Sequence, residues 1–492
     1  MRETVSGCAN GFFQQKGELI EMTKKVRMQY STSYVYIDVP ESATVLQYGK
    51  GPFPAIPAHP NPEHAARDAL ANPVGAPRLH ELVHAGSKVT IAFDDPFKSP
   101  APIKITIPAV LENLLEAGVQ EEDIELVSAG GCHRKRTPLE IRDLLGPEIY
   151  DRFCPFDGGA SRIRSHDCTQ GNAYLGETEL GDHVEYDEAL VNSDLVIYAG
   201  TIVPQAFGGY AGQGTVIGLA GQRTLDSLHS YAVYKTRDVM NAEYLPEKNR
   251  YREHKLAVHA ELEAQTGKRV FYIDAIMGAG GDTCAVHAGY VPELEQVQYP
   301  MADEFFCVSV PQYDLVVVGV PHDLGYDTSD NPATLGNLSQ PLRMVRSRPL
   351  LREGGMLIAL SQCRGIISKH RPADHEALRL FRECFSIEEL FTHSERFWND
   401  PEYLRAYRYD YAFCPKHSIF MCGDASHHWK LARRTFVAGD VVPGIIREHG
   451  LVPAPSFNSA FAMALDLLDK PNPDILVLPT FYADPKPVFD VQ

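Results

Sequence analysis

The chain has 492 residues, of which 44% are hydrophobic and 22% charged, with a formal net charge of −18. That length suggests two or three domains, each with enough apolar residues for a core of its own. The negative balance argues against general nucleic-acid binding, because a polyanion is repelled, but leaves room for a small anion held by local positive charge.

Residues 1–21 lack the continuous apolar segment of a signal sequence, and residues 1–25 are expected to form a loose N-terminal extension. Residues 34–39 are predicted as a strand, 50–62 as a proline- and glycine-rich loop, and 64–70 as a helix before a turn at Asn72-Pro73. A strand over 88–93 ends in Asp94-Asp95-Pro96-Phe97-Lys98; a helix follows over 110–117, then a strand over 124–129 that runs into Gly130-Gly131-Cys132-His133. Residues 138–145 begin another helix. The β-formers of 195–198 lead into a loop with Gly208, Gly209, Gly212 and Gly214, and a helical pattern runs from Gly221 to about His229. Strand, glycine loop and helix form a layout that can expose backbone N–H groups to an anion. It is not a Walker loop, since Thr215 stands where that loop needs lysine.

Strands at 270–276, 314–320, 418–422 and 475–478, helices at 293–298, 338–346 and 372–384, and an apolar run at 355–360 continue the alternation. The expected fold is α/β: two α/β domains with the active site in the cleft between them, 26–300 carrying the glycine loop and 301–492 following it. Ligands gather at the carboxyl ends of parallel strands, where Asp95 with Lys98, His133 with Arg134, and the glycine loop all fall. Ten cysteines without a Cys-x-x-Cys pair predict reduced thiols and a cytoplasmic setting. The longest apolar runs are too short to cross a bilayer, so no membrane partner is expected.

These segments resemble the nickel-pincer lactate racemase family from about residue 34 to the end. VTIAFDDPFKSPAP is similar to its strand and D-x-x-R-P segment, SAGGCHRKRTPLEIRDLLG to its G-T-H-R segment, and NLSQPLRMV to its N-L-Y-Q-x-x-K segment. DLVIYAGTIVPQAFGGYAGQGT resembles I-x-P-H-x-x-A-G-[YF]-S-G-G-x-K. The resemblance implies racemisation or epimerisation of a 2-hydroxy acid, with a nickel-pincer nucleotide accepting and returning the hydride of the α-carbon.

By the same resemblance His229 is the nickel ligand and His133, with Asp95 and Lys98, the catalytic group. Gln340, Arg343 and Gln205 would bind substrate, and Gly208, Gly209, Tyr210, Gly212 and Thr215 the cofactor. The match breaks at two places. Gln205 stands where a second acid/base histidine belongs, and an amide moves no proton at neutral pH. Thr215 replaces the lysine that tethers the cofactor covalently, so a non-covalent cofactor is expected. His166, Tyr210 and His322 are candidates for the vacated proton role. Arg343 and an insertion at 324–336 suggest a substrate more polar than lactate, such as a sugar acid. The alternative is a non-catalytic homologue that binds a small anion and has lost the cofactor. Cys414, His417, Cys422, His427 and His428 lack a metal spacing and are read as structural.

Overall fold

The computed structural model describes residues 23–95, 102–155, 159–234, 241–384, 386–424 and 430–492. It is a mixed α/β protein. One six-stranded sheet runs in the order Thr283–Gly289, Phe271–Met277, Leu195–Ile202, Val89–Asp94, Ile124–Ala129, Ile163–Ser165. All neighbours are parallel except the antiparallel edge strand Thr283–Gly289.

These strands form because their residues are apolar on both faces, as a sheet sandwiched between helices requires. Ile91 and Phe93 pack on one side with Ile107 and Leu114 of the helix Ile103–Glu116. Ala92 and Tyr198 pack on the other with Val216 and Leu219. The chain moves outward from Val89–Asp94 to Ile163–Ser165, then returns to place Leu195–Ile202 on the opposite side of its first strand. That reversal leaves a crevice above the carboxyl ends of the two central strands.

An eight-stranded sheet holds Val452–Ala454, Arg434–Ala438, Leu351–Leu360, Tyr313–Pro321, Thr23–Ser31 and Ser33–Pro40 along its path, with Ile475–Leu478 and Thr44–Val45 branching from Tyr313–Pro321. Sheet membership therefore does not follow the expected division near residue 300. Thr23–Ser31 pairs with Ser33–Pro40 and meets Tyr313–Pro321 at Tyr30–Val320 and Ser31–Pro321. The strand Thr23–Ser31 also starts inside the extension expected over 1–25.

One expected strand is corrected. Residues 418–422 lie within the helix Lys416–Asp424, where Ile419, Met421 and Cys422 pack into an apolar cluster with Leu378 and Phe381 of Asp374–Glu383. Among the described residues no helix is long and apolar enough to cross a membrane.

Candidate functional site

A cavity of about 700 Å³ lies above the carboxyl ends of the six-stranded sheet. The central strands deliver Asp94, Asp95, Gly200, Thr201 and Asp274 to it, and the turn after Ile124–Ala129 delivers His133. Gln340 and Arg343, from the short helix Gln340–Arg343, close it from the side of the other sheet, with His417 and Tyr482.

His133 is buttressed. Its Nδ1 lies 2.7 Å from Asp95 Oδ2, and Arg136 bonds the other carboxylate oxygen at 2.5 Å. Burial alone would raise the Asp95 carboxyl; the hydrogen bond and charge of His133, with the Arg136 guanidinium, outweigh it and hold Asp95 below the usual range. An ionised Asp95 accepts the Nδ1 proton, so Nε2 carries the lone pair of the neutral ring. The expected pairing of Asp95 with Lys98 cannot be placed, because Lys98 lies outside the described residues.

A second imidazole stands beside it with the opposite arrangement. The rings of His133 and His417 are 5.2 Å apart, edge to face, and Tyr326 packs 5.2 Å from His133 and 5.0 Å from His417. His417 Nδ1 lies 2.8 Å from Arg371 Nη1. A guanidinium can only donate, so Nδ1 accepts and the neutral ring carries its proton on Nε2. Arg371 is fixed by Asp374 at 3.0 Å and by the Phe413 ring at 4.5 Å.

His229 caps the C-terminus of Gln222–Leu228 and lines the cavity. Its Nδ1 donates to the Leu225 carbonyl at 3.0 Å, and its ring stacks on Phe420 with centroids 4.5 Å apart. A metal-binding histidine is commonly held this way, the second nitrogen fixed by a carbonyl so that Nε2 meets the ion. Asp226 of the same helix accepts from Trp398 at 2.5 Å and pairs with Lys416, joining the helix that precedes His229 to the helix that bears His417. No group of three metal-capable side chains stands together among the described residues.

The glycine loop enters the cavity only in part. Gly212, Gln213 and Gly214 line it, as does Gln205; Gly208, Gly209, Tyr210 and Thr215 are not among the lining residues. Gly209 is required by its own turn: its φ is +80°, and a Cβ there would lie 2.6 Å from Cβ of Tyr244. Tyr210 is buried with its hydroxyl donating to Asp303 at 2.5 Å, and Arg346 grips the same carboxylate. Thr215 is wholly buried in the helix Gly214–Gly218.

Two candidates for the vacated proton role are likewise elsewhere. His166 is held between two acceptors, the Asp187 carboxylate 2.8 Å from Nδ1 and the Ala220 carbonyl 2.9 Å from Nε2, and does not line the cavity. His322 is not among the lining residues either.

His417, read from the sequence as structural, lines the cavity, as do four residues given no role there: Asp94, Asp274, Lys255 and Tyr326. Asp274, 1% exposed, pairs in register with Gly200, and a Cβ on Gly200 would lie 2.5 Å from its Oδ1. Asp94 follows the Phe93–Ala199 pair, so the two carboxylates flank Gly200 on neighbouring strands. Burial above all, then the charges of Asp94 and Glu295, push Asp274 up to about 7, against the hydrogen bond from Gln298 and the charge of Lys255. Lys255, buried on Arg250–Thr266, donates to the Gly212 carbonyl at 2.8 Å. Tyr326 comes from the expected insertion at 324–336 and stands against His133.

The family model "Lactate racemase N-terminal domain" matches residues 30–241. The lactate racemase of Thermoanaerobacterium thermosaccharolyticum is 20% identical over 347 residues, covering 69% of this chain and 74% of that protein. The structure of the lactate racemase apoprotein from that organism superposes with a TM-score of 0.69, covering 95% of this chain and 100% of that one at 16% identity. Its N-terminal part thus matches the lactate racemase N-terminal domain, and the chain as a whole is similar to lactate racemase. A structural-genomics crystal structure from Thermotoga maritima shares the fold of this lactate racemase-like chain with a TM-score of 0.56, 15% identity and coverage of 87% and 98%.

Proposed function

We propose that this protein racemises or epimerises a 2-hydroxy acid, and that the cavity holding His133 is the active site. The observation that carries the reading is the Asp95–His133 pair, a histidine oriented by a buried carboxylate in the same cavity as Arg343. Arg343, with Gln340, anchors the substrate carboxylate; a guanidinium offers two parallel donors to it. Lys98, close after Asp95 in sequence, adds positive charge. His133 Nε2 takes the hydroxyl proton, and Asp95 stabilises the imidazolium as it forms. Gln205 orients the oxygen by hydrogen bonding. With His166, Tyr210 and His322 absent from the cavity lining, His417 takes the remaining role: its Nε2–H donates to the substrate oxygen beside His133.

The lactate racemase-like fold implies a nickel-pincer nucleotide, and the residues fit it in one respect and not in another. His229, with Nδ1 held by Leu225, would supply the protein's ligand to nickel, and Gly212 and Gly214 allow close approach at the cavity wall. The nucleotide, when bound, supplies the hydride acceptor. Thr215 offers no amine and does not line the cavity, so the group is held without a covalent bond. A buried arginine and a cavity lined by Asp94, Asp274 and Gln213 favour a polar substrate such as a sugar acid. The reading of a binding protein without catalysis is not favoured, since such a protein has no use for two imidazoles held in opposite tautomers.

The test is turnover of separate enantiomers or epimers of a hydroxy-acid panel by protein made together with the cofactor-building enzymes. His133→Ala and His417→Gln should each lower kcat by roughly 100- to 10,000-fold. For an enantiomer pair the loss in kcat/KM is equal in the two directions, because the equilibrium constant fixes the ratio of the two kcat/KM values. An active wild type with His417→Gln within threefold of it would remove His417 from the mechanism and leave the racemase reading standing.

A further inference from the structure

Gln213 is a costly residue in its place. Its φ of +49° puts it in the left-handed region, where glycine or asparagine is comfortable and glutamine is strained. Its side chain is wholly buried at 0% exposure, yet neither Nε2 nor Oε1 has a hydrogen-bond partner in the protein. It lines the cavity, next to Gly212, whose carbonyl is already taken by Lys255. Unpaired buried amides and left-handed non-glycine residues each destabilise a fold, and both are kept mainly where a ligand gives the return. A glycine would serve the backbone here better in every respect that concerns folding alone.

We infer that Gln213 reads a hydroxyl group of the bound ligand, its amide N–H donating to the oxygen and its carbonyl accepting the O–H. The chemistry of the amide selects this partner. It offers two donors and an acceptor at once. A carboxylate or phosphate could only accept, which would leave Oε1 buried and unpaired. A hydroxyl satisfies both sides. Two ligands bring such a group: a nucleotide through its ribose, and a polyhydroxy acid through a carbon beyond the reacting one. If the substrate is the source, Gln213 discriminates against lactate, which has no hydroxyl to spare; sites built around a substrate hydroxyl reject analogues that lack it. The choice of probes rests on the racemase reading; the pairing itself does not.

Full-length wild type, Gln213→Gly and Gln213→Asn are compared by thermal melting and by calorimetric titration. Nicotinic acid mononucleotide is titrated into protein made without the cofactor-building enzymes, and gluconate, with lactate as control, into protein made with them. Gln213→Gly should raise the melting midpoint of the ligand-free chain by about 2–4 °C and weaken binding of one probe at least about tenfold. Gln213→Asn, which suits the left-handed backbone but is one methylene shorter, gives the same test should the glycine variant fail to fold. Loss confined to gluconate assigns a substrate hydroxyl, and loss confined to the mononucleotide assigns the ribose. Affinities within threefold of wild type for both probes, a lowered midpoint, or no binding of either probe by wild type would overturn the inference. Wild type that binds with the expected Gln213 dependence but turns over no hydroxy acid would refute the racemase reading alone.

Discussion

Replacing Asp274 with asparagine isolates the energetic consequence of two carboxylates flanking Gly200. Burial, with Asp94 and Glu295 nearby, lifts the Asp274 carboxyl from its ordinary 3.8 to about 7. At ~1.4 kcal/mol for each tenfold change in proton affinity, that difference is worth about 4 kcal/mol. The folded protein holds this proton more tightly than the unfolded chain does. The stabilisation is therefore complete below pH 3.8 and is lost as pH rises through about 7. Asparagine keeps the shape and can still accept from Gln298, which donates to Asp274 at 3.1 Å, but carries no charge to be forced on a buried site. The variant should match wild type near pH 4 and melt several degrees higher at pH 8. Differential scanning calorimetry of both proteins across pH 4–8 reads the difference directly, with other titrating groups common to the two. Parallel melting curves, or a variant less stable than wild type at pH 8, would refute the argument that Asp274 is ionised there at a cost.

Three further outcomes are expected. Asp95→Asn removes the charge that steadies protonated His133, which should lower kcat roughly 100- to 10,000-fold with little change in KM; a change confined to KM would show that Asp95 serves binding instead. His229→Ala should abolish nickel retention, measured by elemental analysis, while far-ultraviolet circular dichroism stays unchanged; full nickel content would assign the ligand elsewhere. Denaturing mass spectrometry of nickel-loaded protein should return the unmodified chain mass, since Thr215 has no amine and lies outside the cavity lining, and an adduct of nucleotide mass would contradict non-covalent binding.

Much of the site could be read from residues clustered at predicted strand ends. Asp95 and His133 follow short apolar strands, and a parallel sheet brings such ends to one edge. Asp274 was hidden for the opposite reason. It is one acid inside the apolar run FYIDAIM, and only its register with Gly200 reveals that it faces the cavity. His417 was read as structural because its neighbours lack a metal spacing, and residues 418–422 look like a strand by their apolar content, whereas packing of Ile419, Met421 and Cys422 makes them helical and sets His417 on that helix. Local preference of this kind is weak and yields to tertiary contacts. Gly208, Gly209 and Tyr210 misled for a related cause: a glycine-rich loop looks the same whether it approaches a ligand or its own Tyr244. The pairing of Thr23–Ser31 with Tyr313–Pro321 spans most of the chain, and no local pattern announces it.

The central claim is that this cavity interconverts the configurations of a 2-hydroxy acid. Its most direct test is chiral chromatography of single enantiomers or epimers incubated with nickel-loaded wild-type protein. The account predicts that each starting configuration, for at least one polar hydroxy acid, converges on the same equilibrium mixture, and that His133→Ala stops it. Unchanged configuration across the whole panel, with nickel present at one ion per chain, would contradict it.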